Sequence, residues 1–243
     1  MSHQTLVERF RGARGHHSLV VLEGFHPLKH AIRFGAELIE VVCLSTEELV
    51  SLGAKFAPDI AFDNHLRVVP PDVFEELAPI PPPTGVIAIA HRPTVSLTEV
   101  LNNPAPAPVV LLENPRNLLN IGAAIRVSAA AGAAAVMTTG LQDPWHPAAV
   151  IAGVGLQYAL PVTRVATLPP CDRPLVVVDP DGEPLERVPA RAILAFGEER
   201  GGISPELMAS AEHCISIPMS AGVSSLNVAT AVAVVLYTWQ FGG

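Results

Sequence analysis

Apolar positions change their rhythm about 100 residues into the chain. Before that point, short apolar runs alternate with polar turns. Residues 18–24 read as a strand running into a turn. Residues 26–34 follow as a helix, with Leu28, Ala31 and Ile32 at helical spacing. Residues 38–44 are an apolar strand, and Thr46 is placed to cap a short helix reaching Leu52, with Glu47 and Glu48 in its first turn. Residues 66–69 form another strand, Pro71 opens a helix at its favoured first position, and residues 85–90 form a further strand. The proline run before Gly85 cannot be helical and predicts a stiff, extended connection.

In the second half the apolar runs are continuous rather than alternating. Residues 109–113, 133–138, 174–179, 192–196 and 213–217 read as buried strands. Helices are expected over 120–131 and 226–239, with a short one opened by Ser204-Pro205. Continuous apolar strands separated by helices suit an open parallel sheet covered on both faces, hence an α/β fold. The Pro- and Asn-rich stretch 91–108 breaks the two rhythms. The expected organisation is an N-terminal domain over 1–95, a linker over 96–106 and a second domain over 107–243.

Composition changes this picture little. The chain has 243 residues, 49% hydrophobic and 16% charged, which implies a generous core. Its net charge of −8 argues mildly against a nucleic-acid partner, because phosphate contacts depend on Lys and Arg. Distribution matters more than the total: Arg9, Arg11, Arg14, His16 and His17 cluster near the N-terminus, where a solvated segment is expected. Cys43, Cys171 and Cys214 are scattered without a CxxC pair, so neither a disulfide framework nor a metal site is expected. The polar, basic first residues lack the apolar core of a signal peptide, and a cytoplasmic location is expected. No charge occurs after Cys214, but Pro218, Ser220, Gly222 and Asn227 leave only about a dozen apolar-rich residues, a buried helix rather than a membrane span.

Polar residues at the ends of three apolar segments carry the chemistry. The first segment, NPRNLLNIGAAIR, places Asn120, Gly122 and Arg126 on an otherwise apolar helix. An arginine there either snorkels to the surface or awaits an anion. The second, LAFGEERGGI, is a strand ending in a loop with Gly197, Gly201 and Gly202, from which Glu199 projects. The third, IPMSAGVSSLNVATA, places Ser225 and Asn227 at the start of the last helix, where Ser225 is expected to cap it. Ile217 to Met219 add apolar surface and free backbone groups able to hold an adenine. The GVGLQY run at Gly153 lacks the third glycine of a dinucleotide site, and no phosphate-binding loop with Lys-Ser/Thr is present.

Together and in this order, these segments resemble the three signature motifs of the SpoU/TrmH family of RNA ribose 2′-O-methyltransferases. The matches are Asn120, Gly122 and Arg126; Gly197, Glu199 and Gly202; and Ile217, Pro218, Ser225, Leu226, Asn227 and Val228. The resemblance implies a SPOUT-type parallel sheet closed by a C-terminal trefoil knot, behind a small N-terminal α/β domain that binds the RNA substrate. It implies S-adenosyl-L-methionine as cofactor, held by backbone around Gly197, Ile217, Met219 and Leu226 with Thr139-Gly140 contributing. It implies a homodimer acting on tRNA or rRNA, without a metal. Arg126, Asn120, Glu199, Ser225 and Asn227 are the expected catalytic set. The alternative is a catalytically inactive relative that binds RNA or senses the cofactor. Two departures stand out: Ile151 and Gly153 occupy places where the family often has basic residues and serine, and Arg200 stands where glycine is common.

Overall fold

The computed structural model describes residues 3–62 and 66–242. The chain divides into two compact units, one holding residues up to Thr94 together with Trp145–Ala159, the other holding Val95–Pro144 and the chain from Leu160 onward.

The first unit is built on a four-stranded sheet of β1 (Leu19–Glu23), β2 (Leu38–Cys43), β3 (Leu66–Val68) and β4 (Val86–His91), in the order β1-β4-β2-β3. β4 runs antiparallel to both neighbours, while β2 and β3 are parallel. Helix α1 (His3–Gly15) departs from the expected solvated segment. Leu6, Val7, Phe10 and Ala13 fall on one helical face and are buried against Val21, Val42, Ile87 and Ile89. The basic residues that masked this face are partly committed to carboxylates: Arg9 to Glu40 at 2.7 Å and Arg14 to Glu23 at 2.5 Å. Alternate strand positions Val20, Leu22, Ala88 and Ala90 are buried as well, so both faces of the sheet are covered. Helices α2 (Phe25–Arg33), α3 (Thr46–Phe56) and α4 (Pro71–Glu75) complete the main part of the unit. Ser45, not Thr46, caps α3, its hydroxyl accepting from the Glu48 N–H at 3.2 Å.

Residues 145–159 fall inside the expected second domain, yet they belong to this first unit. They pass from α7 (Pro147–Ala152) into a 3-10 turn (Leu156–Tyr158). Gly155 has φ +76° and lies against the Pro27 backbone, where a side chain would collide. His30 Nδ1 meets the Val154 carbonyl at 2.6 Å, and the Tyr158 hydroxyl donates to the His91 carbonyl at 2.8 Å. The glycine run at Gly153 therefore serves packing.

The second unit carries a wholly parallel six-stranded sheet. Its strands are β5 (Val109–Leu112), β6 (Ala135–Thr138), β7 (Val162–Arg164), β8 (Leu175–Pro184), β9 (Ile193–Phe196) and β10 (His213–Ser216), in the order β10-β8-β9-β5-β6-β7. The short strand β7 was not legible in the apolar pattern, since only Val162 of its three residues is buried. One face of the sheet packs Val109, Leu111, Met137, Val177 and Ile193 against α5 (Leu97–Asn102) and apolar residues of α8 (Pro205–Ala209). The expected linker thus contains α5, an ordered part of this unit. Ser96 caps its start. The buried Arg173 guanidinium donates to the carbonyls of Val100, Leu101 and Asn103 at 2.9 to 3.1 Å, closing the helix end. Two further helices, α6 (Leu118–Ala131) and α9 (Val228–Phe241), pack on each other. Among the described residues no helix is long and apolar enough to cross a membrane.

Candidate active site

Each of the three polar segments begins where a strand ends. The first follows β5, the second β9 and the third β10. β5 and β9 are neighbours at the centre of the sheet, joined by parallel pairing from Val109↔Ile193 to Leu112↔Phe196. From β5 the chain moves outward to β6 and β7; from β9 it moves to the opposite edge at β10. Loops leaving two adjacent parallel strands in opposite directions open a crevice beyond their carboxyl ends, the usual ligand position in open α/β sheets.

A cavity of about 610 Å³ lies there. Its wall includes Gly197, Glu199, Ile217, Met219, Ser225, Leu226, Asn227 and Asn120. Of the residues expected to act or to hold cofactor, eight therefore share one cavity, contributed by all three segments. A single chain of hydrogen bonds joins those segments. The Asn227 side-chain amide donates to the Asn120 side-chain oxygen at 2.9 Å, and the Asn120 side-chain amide donates to Glu199 at 3.0 Å. Glu199 also accepts from the backbone N–H groups of Arg116 at 3.1 Å and Asn117 at 3.3 Å. Partial burial pushes the Glu199 carboxyl up, but these donors together outweigh it and hold the group below its ordinary value.

Asn227 has a second role: its side-chain oxygen accepts from the Ala229 N–H at 2.9 Å and caps α9. Ser225 does not cap that helix. It lies exposed on the cavity wall, where its hydroxyl forms no hydrogen bond among the described residues. The first segment's helix likewise starts earlier than expected, with Asn117 capping α6 through the Leu119 N–H at 2.8 Å. Gly197 sits so close to the backbone of Gly202 and Ile203 that any side chain would collide. The loop closes on itself through paired bonds, Glu198 N–H to Gly202 at 3.0 Å and Gly202 N–H to Glu198 at 3.1 Å.

Arg126 lies elsewhere. It is exposed on α6, six residues beyond Asn120, about 9 Å along the axis and a third of a turn around it. Its guanidinium makes no hydrogen bond or ion pair among the described residues, and it is not part of the cavity wall. Thr139 and Gly140 also lie outside that wall. The Thr139 hydroxyl accepts from the Asn114 N–H at 2.9 Å, and Gly140, at φ +77°, packs tightly against Asn114. Asn114 itself adopts φ +45°, and its amide donates to Glu198 at 2.7 Å. Arg116 binds the same carboxylate oxygen at 3.0 Å. Glu113 accepts from both the N–H and the hydroxyl of Ser204, at 2.8 and 2.6 Å. The sequence did not single out these supporting residues. Asn114 carried a local signal, since asparagine tolerates positive φ better than most residues; Glu113 and Glu198 look like ordinary strand-end acids. Among the described residues no cluster of His, Cys, Asp or Glu could hold a metal.

A parallel sheet with a cavity beyond its carboxyl ends defines the class as an open α/β fold with a ligand-sized crevice at that edge. Residues 107–237 match the model of the SpoU rRNA Methylase family, and the chain belongs to that family. It is 29% identical over 96% of its length to the 23S rRNA (adenosine(1067)-2′-O)-methyltransferase of Streptomyces laurentii, covering 90% of that protein. A solved RNA 2′-O ribose methyltransferase is 25% identical and superposes with a TM-score of 0.73, over 97% of this chain and 93% of the other. The SpoU methyltransferase AviRb from Streptomyces viridochromogenes, solved with AdoMet, has the same fold. Its TM-score is 0.77 over 95% of each chain, at 22% identity.

Proposed function

We propose that this protein transfers the methyl group of S-adenosyl-L-methionine to a ribose 2′-hydroxyl of rRNA or tRNA. In this reading it acts as a cytoplasmic homodimer, with the chain after β9 tied into a trefoil knot and the first unit helping to hold the RNA. The observation that carries the reading is the hydrogen-bond chain Asn227–Asn120–Glu199, which ties all three signature segments around one cavity. The knot is carried by family membership and suits a chain whose last helix returns to α6 after β10 has paired at the far edge.

The residues present fit the cofactor. Ile217, Met219 and Leu226 offer an apolar wall for an adenine, and Gly197 lines the same cavity, its bare Cα letting the loop fold tightly back on Gly202 and Ile203. When bound, the cofactor supplies an electrophilic methyl on a sulfonium.

A ribose hydroxyl is a weak nucleophile at neutral pH, so its alkoxide needs stabilising and its approach must be in line. Arg126 suits stabilisation better than proton removal, because a guanidinium stays protonated. It would orient the adjoining phosphate and spread the developing negative charge, while the hydroxyl proton passes to solvent at the exposed cavity wall. Its position away from its own cavity fits a role in the site of a second copy. Asn120, Glu199 and Asn227 hold the loops in register, and the free Ser225 hydroxyl is available to the ribose. Arg126→Ala tests this directly: turnover is lost while titrated cofactor binding stays within about twofold of wild type. Retained turnover would remove Arg126 from the reaction.

A further inference from the structure

Outside the signature residues, the cavity wall carries two charged side chains with no partner of opposite charge among the described residues. One is Asp179 and the other Arg200. The remaining charges there are committed: Glu198 to Arg116 and Asn114, and Glu199 to Asn120 and two backbone N–H groups.

The positions of both residues are built by the fold. β10 pairs with β8 at Cys214↔Val177 and resumes at Ile215↔Glu183; Val178 still pairs with Phe196 of β9, so residues 179–182 are left as an excursion between the paired segments. Gly182 lies against the Cys214–Ile215 backbone at a distance no side chain could share, which pins the base of the excursion. At its start, the Asp179 carboxylate accepts from the Asp181 N–H at 3.1 Å. Its other oxygen stands beside Gly202, 3.9 Å from where a Cβ would sit. Arg200 occupies the tip of the same glycine loop, whose neck is closed by the paired Glu198 and Gly202 bonds. A carboxylate and a guanidinium, neither with a partner of opposite charge among the described residues, thus both line this cavity, beside an apolar wall of Ile217, Met219 and Leu226.

We infer that Asp179 and Arg200 bind the amino-acid end of the cofactor, Asp179 taking its ammonium and Arg200 its carboxylate. The inference rests on the cofactor reading above and adds two residues to it. A free α-amino acid end carries one charge of each sign, and charge-assisted hydrogen bonds are the strong ones. Arg200 stands where glycine is common in the family motif, so this carboxylate contact would distinguish the present chain.

Titration calorimetry with four ligands tests it: S-adenosylmethionine, S-adenosylhomocysteine, decarboxylated S-adenosylmethionine and 5′-methylthioadenosine. Asp179→Asn is expected to weaken the first three roughly tenfold and to leave methylthioadenosine unchanged, since only that ligand lacks the ammonium. Equal losses for S-adenosylhomocysteine would assign the effect to the ammonium rather than the sulfonium. Arg200→Gln is expected to weaken the two carboxylate-bearing ligands roughly tenfold and to spare the decarboxylated one. Uniform losses across all four ligands, or none in either variant, would overturn the inference while leaving the cofactor reading intact. Failure of the unaltered protein to bind any of the four would overturn the cofactor reading itself.

Discussion

Asn120 is the residue through which the three loops are coupled: it accepts from Asn227 and donates to Glu199 with one side chain. An alanine there leaves both partners without their bridge. Asn120→Ala is expected to lower turnover at least roughly tenfold and to weaken cofactor binding, read by single-turnover kinetics and calorimetry. Glu199 adds a pH signature. Its folded value lies below the ordinary 4.5, so its contribution to stability is fully present above pH 4.5 and is lost as pH falls through the folded value. Thermal melts from about pH 7 to about pH 3 should show a stability loss for wild type that is smaller in Glu199→Gln; parallel curves would contradict this role. At this scale the sequence was informative where a residue's chemistry is local. Asn120, Glu199 and Asn227 were readable from their motifs and share one cavity. The partners Asn114, Arg116 and Glu198 were not, because their bonds span more than 80 residues of chain.

Elements were legible where apolar periodicity was strong. The five apolar runs of the second half all become strands of one parallel sheet. α1 was missed because its arginines interrupt the apolar stripe of a helix that still buries Leu6, Val7, Phe10 and Ala13. Phe10 is fully buried, so Phe10→Ala should cost about 3–5 kcal/mol in urea unfolding if α1 is a core helix. A cost below about 1 kcal/mol would return it to the solvated segment that the charge pattern suggested. Helix starts were displaced by a few residues where two capping residues lie close together, as with Ser225 and Asn227. Asn227→Ala should remove the cap of α9 and cost about 1 kcal/mol in addition to its effect on the site. The segment 145–159 shows a different limit: its membership in the first unit depends on Gly155 meeting Pro27 and Tyr158 meeting His91, contacts no local pattern announces.

At the scale of the whole molecule, the proposed homodimer makes its own predictions. Arg126 is exposed and away from its own cavity, while α9 leaves Val234, Tyr237 and Phe241 exposed, the last at 77%. Sedimentation is expected to give a dimer. Mixing Arg126→Ala with Asn227→Ala, each impaired alone, should restore part of the activity through mixed dimers. No recovery on mixing would place Arg126 in its own chain's reaction or outside it. Methyl transfer to a ribose hydroxyl, on which everything else depends, is tested most directly with radiolabelled S-adenosylmethionine. The acceptor is total RNA from a host lacking the protein, resolved by size and then digested with alkali. Alkali cleaves RNA only where the 2′-hydroxyl is free, so label is predicted in alkali-resistant dinucleotides from the rRNA or tRNA fraction. Label recovered only in mononucleotides, or no label despite cofactor binding, would contradict ribose methylation.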